Sequence, residues 1–329
     1  MNRSTLQKLA WITVVLTFCL VVLGAYVRLT HAGLGCPDWP GCYGKLTWPN
    51  TAEEVTQANQ AFPERPVEAG KAWREMAHRY LAGAVMLLTL ALAIGSARGR
   101  TRDNSLPRLL PWVIVAVIVM QAVFGMWTVT LKLKPAVVTA HLLGGMTTLA
   151  LLTWLALSLG SRTVAAVGRA SGWLWLGFFL LAGQIFLGGW TSTNYSALIC
   201  PDFPTCAGVW VPPGMNYQEG FTILREIGVD YEGGVLDYES RLAIHYTHRV
   251  GAVVLTLALL LISAVLWIRR QPTGAAMLLG ALAVQLTLGI MNIVKNLPLP
   301  VAVGHNGGAA LLVMVMVGLL WSNRKHTGL

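Results

Sequence analysis

The feature that most constrains this chain is a set of eight apolar runs, roughly 9–29, 72–96, 110–130, 137–160, 172–192, 242–268, 273–294 and 300–321. A spanning helix needs about 20 apolar residues to cross ~30 Å of hydrocarbon, and inside that layer each backbone N–H and C=O must be satisfied within the protein. Each run meets that length. The first has no small-residue cleavage pattern before its polar flank, so it reads as a helix and not as a removed signal. The expected fold is an all-α integral membrane protein with eight transmembrane helices. Composition agrees, with 55% hydrophobic and 12% charged residues among the 329, a membrane balance.

Charge supplies the orientation. Arg3 and Lys8, then Arg98, Arg100, Arg102 and Arg108, then Arg162 and Arg169, Arg269 and Arg270, and Arg324 and Lys325 all fall on one side of the threading. Of the 14 acidic residues, 12 lie in two long loops, 30–71 and 193–240, on the other. The positive-inside rule makes both termini cytoplasmic and both long loops external, periplasmic if this is a bacterial inner membrane. The net charge of +10 then reports topology. A nucleic-acid surface would interleave Lys, Arg and aromatics on a soluble face, and no segment does so.

The chain repeats itself. At an offset of 164, Gly24 falls on Gly188, Cys36 on Cys200, Cys42 on Cys206, Gln121 on Gln285, Gly125 on Gly289, His141 on His305 and Gly144 on Gly308. "EMAHR" (75–79) matches "HYTHR" (245–249) at an offset of 170, so loops absorb a length change while helices stay in register. Two four-helix halves follow, 1–163 and 164–329, as pseudo-symmetric bundles. With an even number of spans each, they run in the same sense about an axis along the membrane normal.

Four histidines sit at equivalent depths in the spans: His78, His141, His248 and His305. An ionisable side chain inside a span is costly enough to mark a functional site. A lone one is more often a hydrogen-bonded core residue, but four paired by a repeat are not alone. In an up-down-up-down bundle helices 2 and 4 are diagonal neighbours, separated by roughly 11–14 Å when adjacent axes are ~8–10 Å apart. Two inward imidazoles leave room for one iron in a flat macrocycle, so each half reads as a bis-histidine haem site. A bound metal ion or a histidine-lined proton path are the other readings. Arg79 and Arg249, each directly after a ligand histidine, could meet haem propionates or simply snorkel to the interface. His31 and His326 are assigned no role.

Four of the five cysteines lie in the external loops, in "GLGCPDWPGC" and "ALICPDFPTC". Local pairing, Cys36 with Cys42 and Cys200 with Cys206, closes short rings in which prolines preset the turn, worth roughly 2–3 kcal/mol each. A redox or metal role is the alternative. Cys19, within helix 1, reads as packing.

Together, "VRLTHAGLGCPDWPGC", "EMAHR", "VVTAHLLGG", "CPDFPTC", "HYTHR" and "AVGHNGGA" resemble the haem A synthase family of cytochrome oxidase assembly enzymes. The resemblance covers essentially the whole chain. It implies an eight-helix fold of two similar halves, disulfide-forming outer loops, and oxidation of the C8 methyl of haem O to the formyl of haem A. It also implies that one half receives the substrate haem O while the other retains haem b. Haem O synthase is the candidate partner that supplies the substrate within the membrane lipid, the electron donor is unspecified, and a homo-oligomer stays open.

The halves differ at one telling position. Glu75 stands three residues before His78, whereas His245 stands three before His248, and one helical turn puts each beside its ligand. A carboxylate there could position water, accept a proton or stabilise positive charge developing on a porphyrin methyl. Glu75, His78 and His141 are therefore expected on the substrate side, with His248 and His305 on haem b. The bland reading of Glu75 is a carboxylate paired with Arg74 or Arg79. A b-type cytochrome that relays electrons without modifying haem would need the four histidines but not Glu75, and a histidine-path transporter would bind no haem. Gln121 and Gln285 read as packing or porphyrin-edge contacts, Lys132 and Lys134 break the charge rule without explanation, and 214–240 is expected to hold a short amphipathic segment.

Overall fold

The computed structural model describes residues 1–99, 106–160 and 171–323. Arg100, Arg102, Arg162, Arg169, Arg324, Lys325 and His326, and the 163/164 boundary, lie outside the described residues. Among the described residues ten helices follow in order: α1 Arg3–Leu29, α2 Ala52–Ala61, α3 Ala69–Gly99, α4 Leu110–Thr130, α5 Pro135–Ser158, α6 Ser171–Thr193, α7 Tyr217–Gly220, α8 Tyr238–Ile268, α9 Pro272–Val294 and α10 Leu299–Ser322. Eight of them are long and apolar enough to cross a membrane, and the chain is a multi-pass membrane protein. The short ones, α2 and α7, sit in the two long loops.

Local chemistry sets the ends. Asn2 caps α1 through the N–H of Thr5, and Asp237 caps α8 through that of Ser240. Pro stands in the first two positions of α4, α5, α9 and α10, where its missing N–H costs nothing and its φ is already helical. Thr51 and Glu54 form a reciprocal capping box at the start of α2, the S/T-x-x-E pattern of a helix start. Within the spans Thr13, Thr17, Thr89, Thr153 and Ser263 turn their hydroxyls back to the carbonyl four residues earlier, which satisfies these five O–H groups inside the apolar layer.

The helices pack as two rings of four. In the first, α1 touches α3 and α5, and α4 touches α3 and α5. In the second, α6 touches α8 and α10, and α9 touches α8 and α10. Among the described residues the backbones of α3 and α5, and those of α8 and α10, do not come close, so each histidine-bearing pair is diagonal. The rings meet through α1 with α10, α5 with α6, and α5 with α10. Exchanging α1 for α6 and α5 for α10 turns that interface into itself, the pattern a two-fold relation requires. Leu149, Leu152 and Leu155 of α5 and Leu312 and Met316 of α10 belong to one core cluster and have near-zero exposure, while Leu87, Phe179 and Leu261 face outward, as a lipid-facing surface does.

The long loops gather on one face and cross between halves. Arg65 of the first loop pairs with Asp230 at 2.9 Å and Glu232 at 2.7 Å in the second. Tyr231 is buried against Leu34, Val129 and Leu133 of the first half, and its N–H donates to the Lys132 carbonyl at 3.1 Å. The amphipathic segment expected in 214–240 reduces to the single turn of α7, held by Trp190 Nε1, which donates to the Gly220 carbonyl at 2.8 Å.

Candidate functional site

Each of the four histidines rests its ring against a glycine on the preceding spanning helix. A Cβ on Gly24 would come within 3.0 Å of His78, on Gly125 within 3.5 Å of His141, on Gly188 within 3.2 Å of His248 and on Gly289 within 3.0 Å of His305. The device is repeated four times: an added side chain would crowd the imidazole at Gly24, Gly188 and Gly289 and would make ordinary contact with it at Gly125. Across the first half the His78 and His141 rings face one another with centroids 6.4 Å apart and planes at 67°. All four residues are half-buried.

The loops above the histidines share one construction. Asp38 accepts from the N–H groups of Tyr43 (2.6 Å) and Gly44 (2.7 Å), and Asp202 from those of Ala207 (2.5 Å) and Gly208 (3.0 Å). Tyr43 and Gly44 have φ of 53° and 74°, Ala207 and Gly208 54° and 78°, the left-handed pair of a type I′ turn. Cys42 and Lys45 then exchange backbone hydrogen bonds, as do Cys206 and Val209. Disulfides Cys36–Cys42 and Cys200–Cys206 close each ring with Cα separations of 4.8 and 4.7 Å. Burial pushes the Tyr43 hydroxyl up to about 12, and it donates to the Arg65 carbonyl at 3.1 Å.

Arginine joins loop to histidine. Arg79 donates to the carbonyls of Asp38 (3.0 Å), Pro40 (3.2 Å) and Gly41. Arg249 donates to those of Thr205 (2.6 Å), Cys200 (3.2 Å) and Asp202 (2.8 Å). Any propionate that these residues serve must share them with the loop. Below, the halves diverge. Glu75, 5% exposed, accepts from the Cys36 N–H at 2.9 Å and from Arg79 at 2.5 Å. His245, 4% exposed, donates from Nδ1 to the Ser196 carbonyl at 2.8 Å and accepts at Nε2 from Arg249 at 3.1 Å. One half therefore holds a buried carboxylate beside its histidine and the other a buried neutral imidazole.

Amides complete the surroundings. Gln285 Nε2 lies 3.5 Å from His305 Nε2. Gln184, which attracted no attention in the sequence, places Nε2 3.0 Å from His248 Nδ1 and 2.9 Å from the His248 carbonyl. It was hidden because the repeat puts Leu20 at its counterpart. The Nδ1 atoms of His141 and His305 are buried without a hydrogen-bond partner, as is Gln121.

This chemistry fits an axial-ligand pair. Two metal–nitrogen bonds of about 2 Å, plus the half-widths of two imidazoles, set ring centroids about 6 Å apart, close to the spacing in the first half. Among the described residues no group of three or more His, Cys, Asp or Glu could hold a bare metal ion, so histidine pairs are what the bundles offer. A macrocycle would supply the equatorial ligands that the protein lacks.

Comparison with known proteins identifies the family to which the whole chain is similar. Residues 7–317 match the family COX15-CtaA, described as cytochrome oxidase assembly protein. A heme A synthase of Shewanella oneidensis is 43% identical over 98% of this chain and 99% of its own. Heme A synthases of Caulobacter sp. strain K31 and Beijerinckia indica are 28% and 29% identical, covering 96% and 94% of this chain and 95% and 90% of theirs.

Proposed function

The chain belongs to the COX15-CtaA family of cytochrome oxidase assembly proteins, and from that premise we propose how its residues serve a haem A synthase. The reaction is an oxidation, of the C8 methyl of haem O to the formyl group of haem A. His78 and His141 hold the substrate haem in the first half. His248 and His305 hold a resident haem b in the second, which supplies one-electron redox chemistry when bound.

The observation that carries this division is the exchange of Glu75 for His245 beside otherwise equivalent ligands. Glu75 is anchored by the Cys36 N–H and Arg79, so it cannot swing away, yet each carboxylate oxygen keeps a second lone pair. Anchored in this way, it presents fixed negative charge toward the substrate and accepts a proton as the methyl is oxidised. His245 has both nitrogens occupied and no anionic form, which suits a site where nothing is transformed. Arg79 and Arg249 hold positive charge at the rim, where haem propionates would lie, while fixing the loops.

The protein resides in the inner membrane with both termini cytoplasmic and the disulfide loops periplasmic, a compartment in which such bonds persist. Haem O synthase is the partner expected to deliver the substrate.

Extraction of haems from protein purified with a haem O supply tests the assignment. Wild type should yield haem b together with haem O and haem A. His78→Ala and His141→Ala should lose the farnesylated haems and keep haem b, and His248→Ala and His305→Ala should do the reverse. Haem b alone in every preparation would mean an electron relay, and a colourless protein would end the haem reading.

A further inference from the structure

Three of the four histidines have an amide lodged in a notch one turn away, and the fourth does not. His141, His248 and His305 are each followed three residues later by glycine: Gly144, Gly251 and Gly308. Into each notch the preceding spanning helix inserts a glutamine, and a Cβ there would overlap Gln121, Gln184 and Gln285 respectively. Three residues after His78 stands Leu81, and Leu20 occupies the position equivalent to Gln184. Among the described residues no hydrogen bond reaches the His78 ring.

The lodged amides are poised and not merely packed. Gln184 Oε1 and Gln285 Oε1 are buried without a hydrogen-bond partner, and so are both polar atoms of Gln121. The neighbouring Nδ1 atoms of His141 and His305 are equally unpartnered. A neutral imidazole that binds iron through one nitrogen carries its proton on the other, and a partner for that proton orients the ring and strengthens the ligand. At His248 the lodged amide already meets the ring, with Gln184 Nε2 3.0 Å from Nδ1 and 2.9 Å from the His248 carbonyl, so it holds the imidazole in one orientation.

Building on the haem assignment above, we propose that His78 is the releasable ligand. Gln121, Gln184 and Gln285 act as positioning residues that fix His141, His248 and His305 on iron, while His78, flanked by leucine, yields its bond so that an exogenous ligand can take that place beside Glu75. The exchange breaks one iron–nitrogen bond and forms one to the incoming ligand, with no change in electron count on the protein. In the second half both histidines that would hold a haem are braced, His248 by Gln184 and His305 by Gln285.

Carbon monoxide binding to dithionite-reduced protein reads this directly, because CO enters only where an axial ligand gives way. Protein carrying haem in both halves should bind CO at one haem. Leu20→Gln/Leu81→Gly, which builds the missing brace, should keep its haem and slow CO binding about tenfold or more, the usual scale for a partner of a metal-bound histidine. Gln184→Leu/Gly251→Leu, which copies the first half into the second, should open a second CO site. Unchanged CO binding in both double variants at full haem content overturns the inference and leaves the haem assignment standing. Should the first double variant lose its haem, absence of a second CO site in the other overturns it alone. Wild-type protein whose haem is indifferent to all four histidine substitutions overturns the underlying assignment instead.

Discussion

His31 stacks on Tyr195, ring centroids 5.9 Å apart and planes within 17°, and the two residues stand 164 positions apart, the period of the repeat. Arg28 and Ser192 have the same relation: Arg28 donates to the Ser192 carbonyl at 2.6 Å, and its guanidinium lies 4.3 Å from the centre of the Tyr195 ring. Residues that correspond between copies touch each other, which places the junction of the halves at this point. Arg28→Met should weaken that junction by about 2 kcal/mol, from a charged hydrogen bond and a cation–π contact. Thermal denaturation in detergent measures it, and Ser192→Ala, which keeps the carbonyl, should match wild type.

Glu75→Ala should leave haem bound and slow conversion about 100-fold or more, the range for a removed proton acceptor. Glu75→Gln retains acceptance from the Cys36 N–H and separates charge from loop anchoring. Chromatography of extracted haems reads both variants. Normal haem A from Glu75→Ala would remove this carboxylate from the chemistry.

Arg249→Lys should loosen the second disulfide loop although charge is conserved, because an ammonium cannot reach three carbonyls and the His245 ring at once. Loss of two such bonds is worth about 2 kcal/mol or more. Faster proteolytic cleavage within 200–209, with the disulfide intact, is the expected result; a wild-type rate would show the loop to be held by other means.

The spans were legible because a bilayer forces the backbone to satisfy itself, and the histidines because the repeat displays each one twice. What was illegible follows the same logic. Gln184 has no copy at Leu20, so repetition concealed it. Arg79 and Arg249 act on backbone carbonyls, which every residue type possesses. The capping box of α2 was spelled out at Thr51 and Glu54, yet that helix is too polar to stand out in an apolar chain. Pairing of Glu75 with Arg79 was the plain alternative, and the structure shows the pair in place and tied to Cys36, which adds an anchor that spacing could not display.

Acid should open the second outer loop. Hydrogen bonds from the Thr205 hydroxyl first, then from the Gly208 and Ala207 N–H groups, hold the Asp202 carboxyl below the usual carboxylate range. A lowered folded value means that the stabilisation is fully present above the ordinary value of about 4 and disappears as pH falls through the folded one. Hydrogen exchange at Ala207 and Gly208 should therefore be slow at pH 6 and accelerate, beyond the intrinsic trend, in strong acid. Asp202→Asn should show fast exchange at both.

The contact from Arg28 to the Ser192 carbonyl runs in one direction only. Two copies of the first half alone would bring one guanidinium against another, and two copies of the second would bring no cation at all. The junction therefore sets unlike residues against each other at equivalent positions of the two halves, Arg28 against Ser192 and His31 against Tyr195.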